Sequence, residues 1–212
     1  MRLGIFGGTF NPIHYGHLRA AEEVRYKINL DRVIFIPSGN PPLKSSELSD
    51  AAHRYAMTKL ATDSNVNFVV SDIELRQTEK SFTVNTLERL FEIYAGEELF
   101  FILGIDAFLD IPNWRQPDRL ISMIDLIILK RPGFDLKDII KSPFISGHIK
   151  TDRLIGETIP LKGGRKAVIV DIRTLDISSS DIRELVREGK SIKYILPETV
   201  EKYIYTHNLY KH

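Results

Sequence analysis

"GIFGGTFNPIHYGH", residues Gly4 to His17, joins an apolar run to a glycine-rich turn and then to a segment carrying two histidines. Leu3–Phe6 reads as a strand. Gly7 and Gly8 follow it directly, and without a Cβ they let the backbone turn tightly and come close to a ligand. Thr9 and Phe10 extend the turn, and Pro12 fixes it. Tyr15–Ile28 reads as a helix, so His14 and His17 flank its start, where unpaired N–H groups and the helix dipole favour anions. Two imidazoles at such a junction can donate to phosphate oxygens and offset charge during phosphoryl-type chemistry.

The alternation of strand and helix continues along the chain. Val33–Ile36, Leu99–Leu103, Leu126–Leu129 and Ala167–Val170 are continuous apolar runs, and Phe68–Val70 is a shorter one. Continuous rather than alternating apolarity marks strands covered on both faces, as in a parallel sheet. Asp50–Thr62, Val84–Tyr94 and Pro117–Met123 read as helices, with Ser178–Glu188 and Pro197–Tyr205 as two closing ones. The expected fold is α/β, a Rossmann-like doubly wound parallel sheet with helices on both faces. One domain is expected over residues 1–212, its C-terminal helical portion beginning at 177. In such sheets ligands bind outside the carboxyl ends of the strands, which is where the opening stretch lies. Arg131–Lys166 shows no readable element, and its basic residues, with Lys130 and Arg131, read as a solvated rim.

Composition narrows the function. Of 212 residues, 43% are apolar and 27% charged, with a formal net charge of +1. No overall field attracts nucleic acid or a membrane, so an anionic ligand must be held by local donors. Cysteine is absent, which rules out disulfides, thiolate metal sites and thiol catalysis and fits a reducing cytosol. No apolar run approaches the roughly 20 residues of a membrane span. A strand beginning within two residues of Met1 leaves no room for a signal peptide. A cytoplasmic protein is expected, with no nucleic-acid or membrane partner and with homo-oligomerisation left open.

Rival phosphate motifs are missing. There is no G-x-x-x-x-G-K-[ST] loop and no G-x-G-x-x-G fingerprint, and the second strand ends "FIPSGN" without an acidic residue. A zinc site built on His14 and His17 would lack nearby third ligands, so no protein-held metal is expected.

"GGTFNPIHYGH" resembles the G-G-T-F-D-P-x-H-x-G-H signature of the nucleotidyltransferase superfamily, in the form found in bacterial nicotinate-nucleotide adenylyltransferases. Asn11 stands where that family usually has Asp. Further matches are "SGNPPLK" (Ser38–Lys44), with Leu43 for the usual His, "HRYAM" (His53–Met57), "SFTVNTL" (Ser81–Leu87), "GIDAFLDIPNW" (Gly104–Trp114) and "ISSSDIR" (Ile177–Arg183), with Ser180 for Thr. Together they reach across nearly the whole chain.

The resemblance implies adenylyl transfer from ATP to nicotinate mononucleotide in NAD biosynthesis, with Mg²⁺ carried on ATP. It implies His14, His17, Lys44 and Arg183 as catalytic residues. It implies an ATP site made of Gly7, Gly8, Thr9, Phe10, His14, His17, Gly104, Asp106, Ile177, Ser178, Ser179 and Arg183. Ser179 and Arg183 would meet the β- and γ-phosphates, and His17 the transferred group. For the nicotinate nucleotide it implies Asn40, Lys44, Thr83, Thr86, Asp106 and Trp114. The residue chemistry is compatible with these roles. Ser178–Ser180 cap a helix whose N-terminus, with Arg183 in its first turns, cradles phosphate. An indole face attracts a pyridinium cation. Asp106 can accept from ribose hydroxyls, and Thr83 and Thr86 open a helix suited to a carboxylate. The alternatives are a related adenylyltransferase acting on nicotinamide mononucleotide or phosphopantetheine, and a nucleotide-binding sensor without turnover.

Overall fold

Within each apolar run, alternate side chains leave the sheet on opposite faces. Ile34 and Ile36 join one buried cluster with Leu3, Ile5, Phe101 and Ile128, while Val33 and Phe35 join another with Phe6, Ile102 and Ile127. The strands are therefore covered on both sides, as their continuous apolarity predicts. The computed structural model describes residues 1–42, 47–77, 79–131, 133–147, 149 and 155–211.

Among these residues the strands are β1 (Arg2–Gly8), β2 (Arg32–Pro37), β3 (Phe68–Val70), β4 (Glu98–Gly104), β5 (Asp125–Leu129), β6 (Thr158–Pro160) and β7 (Lys166–Val170). They form one sheet in the order β3-β2-β1-β4-β5-β7-β6. Every pairing is parallel except that of β6 with β7. The chain runs outward from β1 to β3 and then returns to the other side of β1 as β4. That reversal opens a crevice at the carboxyl ends of β1 and β4, the place where doubly wound sheets take their ligands.

The helices are α1 (Tyr15–Ile28), α2 (Ala51–Thr62), α3 (Thr83–Ile93), α4 (Ile105–Asp110), α5 (Pro117–Met123), α6 (Leu136–Ile140), α7 (Ser179–Arg187) and α8 (Glu198–Thr206). Ala21 and Val24 of α1, Met57 of α2, Ile182 and Val186 of α7, and Val200 and Ile204 of α8 cover one face. Leu87 and Leu90 of α3, Phe108 of α4, Leu120 of α5 and Ile139 of α6 cover the other. No helix among the described residues is long and apolar enough to cross a membrane.

Three expectations are corrected. Gly7 and Gly8 belong to β1, paired in register with Ile36 and Pro37, so the turn begins at Thr9, and it carries a cis Asn11–Pro12 peptide. Several helix ends shift by one residue, because Asp50, Ser178 and Pro197 are N-caps rather than first-turn residues. Residues 131–166 are not all loop, since they contain α6 and β6. In β6 only Ile159 is buried, and one buried residue leaves no pattern to read.

Candidate active site

The turn after β1 is shaped by its neighbours. Phe10 is buried in the core at φ 46°, a left-handed conformation that bulky residues seldom adopt without surroundings that hold them. Arg54, only 1% exposed, donates to the carbonyls of Thr9 at 2.8 Å, Gly39 at 3.2 Å and Ser49 at 2.9 Å. One buried guanidinium thus ties the loop after β1 to the loop after β2. Burial pulls its pKa below the usual range.

His14 is the N-cap of α1. Its ring lies over the first helical turn, where a Cβ on Gly16 would come within 2.9 Å of ring atoms. Glycine between the two histidines is therefore a steric requirement. The main-chain N–H of His14 donates to His17 Nδ1 at 3.4 Å, which leaves the proton of a neutral His17 ring on Nε2. The two imidazoles stack with centroids 3.8 Å apart, and Phe10 meets His17 edge-on at 5.1 Å. Burial pushes the pKa of His14 down to about 4, helped by the Arg131 guanidinium. His17 is also held well below the ordinary value, first by burial and then by His14 and Arg131. Both rings are neutral hydrogen-bonding groups at physiological pH.

The N-terminus of α7 meets this turn. Ser178 caps α7 by accepting from the Asp181 N–H at 3.1 Å, and the Ser179 hydroxyl donates to the Pro12 carbonyl at 2.8 Å. Arg183 donates to the Asn11 carbonyl at 3.0 Å, while its Nη2 and Nε reach Glu47 Oε2 at 2.7 and 3.1 Å. Arg187 takes the other oxygen of Glu47 at 3.0 Å. The arginine fork expected to hold phosphate already holds a carboxylate.

Gly104 ends β4 and Asp106 lies in the first turn of α4; a Cβ at Gly104 would come within 2.9 Å of Arg131 Nε. That missing Cβ makes room for a 3.4 Å ion pair between Arg131 and Asp106. Arg131 is exposed, yet it pairs with Asp106 and its charge helps to lower the pKa of both histidines, so its reading as a solvated rim residue is incomplete. Lys130 pairs with Asp171 at 3.6 Å. Ile177 is half-buried between β7 and α7.

The acceptor side is more constrained than its sequence suggests. The Thr86 hydroxyl donates to the buried Glu74 at 2.6 Å, and the other Glu74 oxygen accepts the Gly39 N–H at 3.2 Å. Thr86 thereby fixes α3 to the loop after β2. In the first turn of α3, the N–H groups of Asn85 and Thr86 return to the Phe82 carbonyl. Among the described residues, those of Thr83 and Val84 take no backbone partner. Asn40 is held through its main chain by Ser81, with its N–H donating to Oγ at 3.0 Å and its carbonyl accepting the Ser81 N–H at 2.8 Å. The Trp114 indole N–H donates to Asp110 at 2.9 Å, and its ring packs edge-on against Phe101. Lys44 and Leu43 lie outside the described residues.

Among the described residues, the buried side-chain polar atoms without a hydrogen-bond partner are His14 Nδ1, Asn40 Oδ1, Asp106 Oδ1 and Glu88 Oε1. Glu88 is ion-paired with Arg119, and His14 Nδ1 faces the start of α1. The Asn40 and Asp106 oxygens remain, beyond the ends of β2 and β4. Buried acceptors are rarely left unpaired, so each of these oxygens is available to accept from a hydroxyl or N–H group.

Sequence reading missed Arg54, Glu74, Glu47 and Arg131 as parts of this region. Arg54 stood inside a matched motif, and only its burial reveals what it does. Glu74 carries no local signal at all.

The sequence profile of the "Cytidylyltransferase-like" family matches residues 5–185. A "Probable nicotinate-nucleotide adenylyltransferase" of Desulfitobacterium hafniense (strain Y51) is 43% identical over 99% of this chain and 96% of its own length. One of the same description from Thermoanaerobacter sp. (strain X514) is 44% identical over 100% and 95%. A solved Plasmodium falciparum nicotinic acid mononucleotide adenylyltransferase complexed with NaAD shares the fold at TM-score 0.77 and 22% identity, covering 99% of this chain and 97% of that one. With this profile match and relatives alike over their full length, the chain belongs to the cytidylyltransferase-like family and, within it, to the nicotinate-nucleotide adenylyltransferases.

Proposed function

We propose that the chain transfers the adenylyl group of ATP to nicotinate mononucleotide, giving nicotinate adenine dinucleotide and pyrophosphate. The mononucleotide phosphate attacks the α-phosphorus in line, one P–O bond forms, and the bond to the β-phosphate bridging oxygen breaks as pyrophosphate leaves. Mg²⁺ would be carried on ATP by phosphate oxygens and water and would supply charge neutralisation there, as suits a hard cation that keeps much of its hydration shell. No covalent enzyme intermediate is required, so positioning and charge stabilisation carry the step.

The observation that carries this reading is the stacked His14–His17 pair at the switch point of the sheet, with the tautomer of His17 set by the His14 N–H. A neutral imidazole with its proton on Nε2 is a donor suited to an α-phosphate oxygen. The N-termini of α1 and α7 and the Arg183 fork lie around the same turn. They supply positive potential for the departing phosphates.

Asp106 Oδ1 and Asn40 Oδ1 are suited to accept from ribose hydroxyls. The open N–H groups at the start of α3 suit the nicotinate carboxylate, and the Trp114 face suits the pyridinium ring. Lys44 is proposed for the acceptor phosphate by family resemblance. The sequence contains no cysteine, and on that ground a reducing, cytoplasmic setting is proposed.

The test is to mix the protein with Mg·ATP and nicotinate mononucleotide and to measure pyrophosphate and the dinucleotide together. The reading requires one of each per turnover. A folded protein that makes neither refutes it.

A further inference from the structure

We propose that Tyr210, in the C-terminal tail, is a positioning residue for ATP that acts through Asn11 on Arg183. The inference rests on the reading of Arg183 as a triphosphate ligand.

Asn11 is the hub. Its Oδ1 accepts from the Tyr210 hydroxyl at 2.9 Å, from the Ser49 hydroxyl at 2.8 Å and from the Ser49 N–H at 3.2 Å. Its Nδ2 donates to the Glu47 carbonyl at 3.0 Å. Each hydroxyl has one proton and gives it to Asn11, so the 3.1 Å approach of the Ser49 and Tyr210 oxygens closes a triangle without adding a bond. The amide oxygen is thus fully engaged and one amide N–H is used, and the side chain is buried.

The main chain of the same residue faces the other way. The Asn11 carbonyl accepts from Arg183 Nη1, and the next carbonyl, Pro12, accepts from Ser179. These two carbonyls are the fixed points to which the first turns of α7 are tied. The side-chain amide fixes the carbonyls, and the tail fixes the amide. Asn11 Nδ2 also places the backbone of Glu47, whose carboxylate is the present partner of Arg183.

The departure from the family's usual Asp finds its reason here. Two carboxylate oxygens would still accept from Tyr210 and Ser49, but one of them would face the Glu47 carbonyl with no proton between.

The tail is held rather than merely draped. Asn208 and Tyr210 both have left-handed backbone, at φ 51° and 63°, which a tyrosine seldom adopts unless its surroundings impose it. Burial pushes the Tyr210 phenol up to about 12, so it remains a donor at any working pH. Few residues stand further apart in the sequence than Tyr210 and Asn11, yet they share one acceptor oxygen.

The test is a double-mutant cycle on the full chain. Mg²⁺ with a non-hydrolysable ATP analogue, and nicotinate mononucleotide separately, are titrated by calorimetry into the wild type, Tyr210→Phe, Arg183→Ala and the double variant. Tyr210→Phe keeps the ring and removes one hydrogen bond. It is expected to weaken the ATP analogue about three- to tenfold, the scale of one hydrogen bond, with the mononucleotide changed less than twofold. In the Arg183→Ala background the same change should cost less than twofold, because nothing remains to be positioned. A merely structural tyrosine would weaken both ligands alike, or keep its full cost without Arg183, and either result overturns the proposal. So does unchanged ATP affinity in Tyr210→Phe. If Tyr210→Phe does not fold, Ser49→Ala removes the second hydroxyl donor to the same oxygen and is judged by the same criteria. A wild type that binds no ATP analogue overturns the reading of the site itself, and this inference with it. ATP binding that is indifferent to Tyr210 and Ser49 overturns only the inference.

Discussion

The main-chain N–H of His14 donates to Nδ1 of His17, and the two rings stack with centroids 3.8 Å apart. Two imidazolium ions cannot share such a contact in a buried site, so the pair is neutral and its remaining protons serve as hydrogen-bond donors. The low pKa values of both groups agree with that geometry.

Acid should therefore destabilise the fold through this pair. His14 titrates at about 4 in the native chain against an ordinary 6.5. Between those values the unfolded chain binds a proton that the native chain refuses, so stability present above pH 6.5 is lost as pH falls toward 4. At about 1.4 kcal/mol per unit, His14 alone accounts for a loss on the order of 3 kcal/mol. Urea unfolding from pH 7.5 to 4.5 measures it. His14→Asn keeps a side chain suited to the N-cap and should flatten the decline, whereas an unchanged slope would remove His14 as its source.

His17→Ala should lower kcat by about 10²–10³, the scale for one charge-stabilising donor. Its melting temperature should stay close to that of the wild type, because among the described residues the hydrogen bond of the His17 side chain is the local one from the His14 N–H. Turnover near the wild-type rate would take His17 out of the mechanism.

On the proposed reading of Arg183 as a triphosphate ligand, Glu47 competes for it. Its carboxylate is held on one oxygen by Arg183 and on the other by Arg187, which lowers its pKa and keeps it charged. Glu47→Gln should lower KM for ATP several-fold, since ATP no longer has to break the pair. Arg183→Ala should raise KM for ATP strongly and leave mononucleotide binding nearly unchanged. Steady-state kinetics with each substrate varied in turn separates the two. A Glu47→Gln variant with weaker ATP binding would make Glu47 a support of the site instead of a competitor for it.

The strands other than β6 and most helices are legible because a doubly wound sheet leaves continuous apolar runs between helical stretches, and the sequence reading of α1 matches its end residues. The glycines at 7 and 8 were misplaced because they pair like any strand residue, and their small size was read as the start of the turn. The histidines, Ser178, Ser179 and Arg183 lie in two local motifs, so sequence places them. Arg54, Glu74 and Tyr210 tie together residues 45, 12 and 199 positions apart through side-chain hydrogen bonds, and no local pattern encodes a contact of that kind. Sequence suggests Thr86 as a hydroxyl or backbone donor to the nicotinate carboxylate, but its hydroxyl donates to the protein's own Glu74 and its N–H to the Phe82 carbonyl.

The choice of acceptor tests the account most directly. The open N–H groups at the start of α3 and the dipole behind them favour a carboxylate on the pyridine ring. An amide would turn its NH₂ toward those donors, and one unpaired buried polar group costs about 1–3 kcal/mol. The decisive measurement is kcat/KM for nicotinate mononucleotide and nicotinamide mononucleotide, side by side, with ATP saturating and pyrophosphate release as the readout. The account predicts a preference for the nicotinate form of about tenfold to a hundredfold or more, with Trp114→Ala impairing both alike. Equal values would show that the carboxylate is not read, and no turnover of the nicotinate form would contradict the central claim outright.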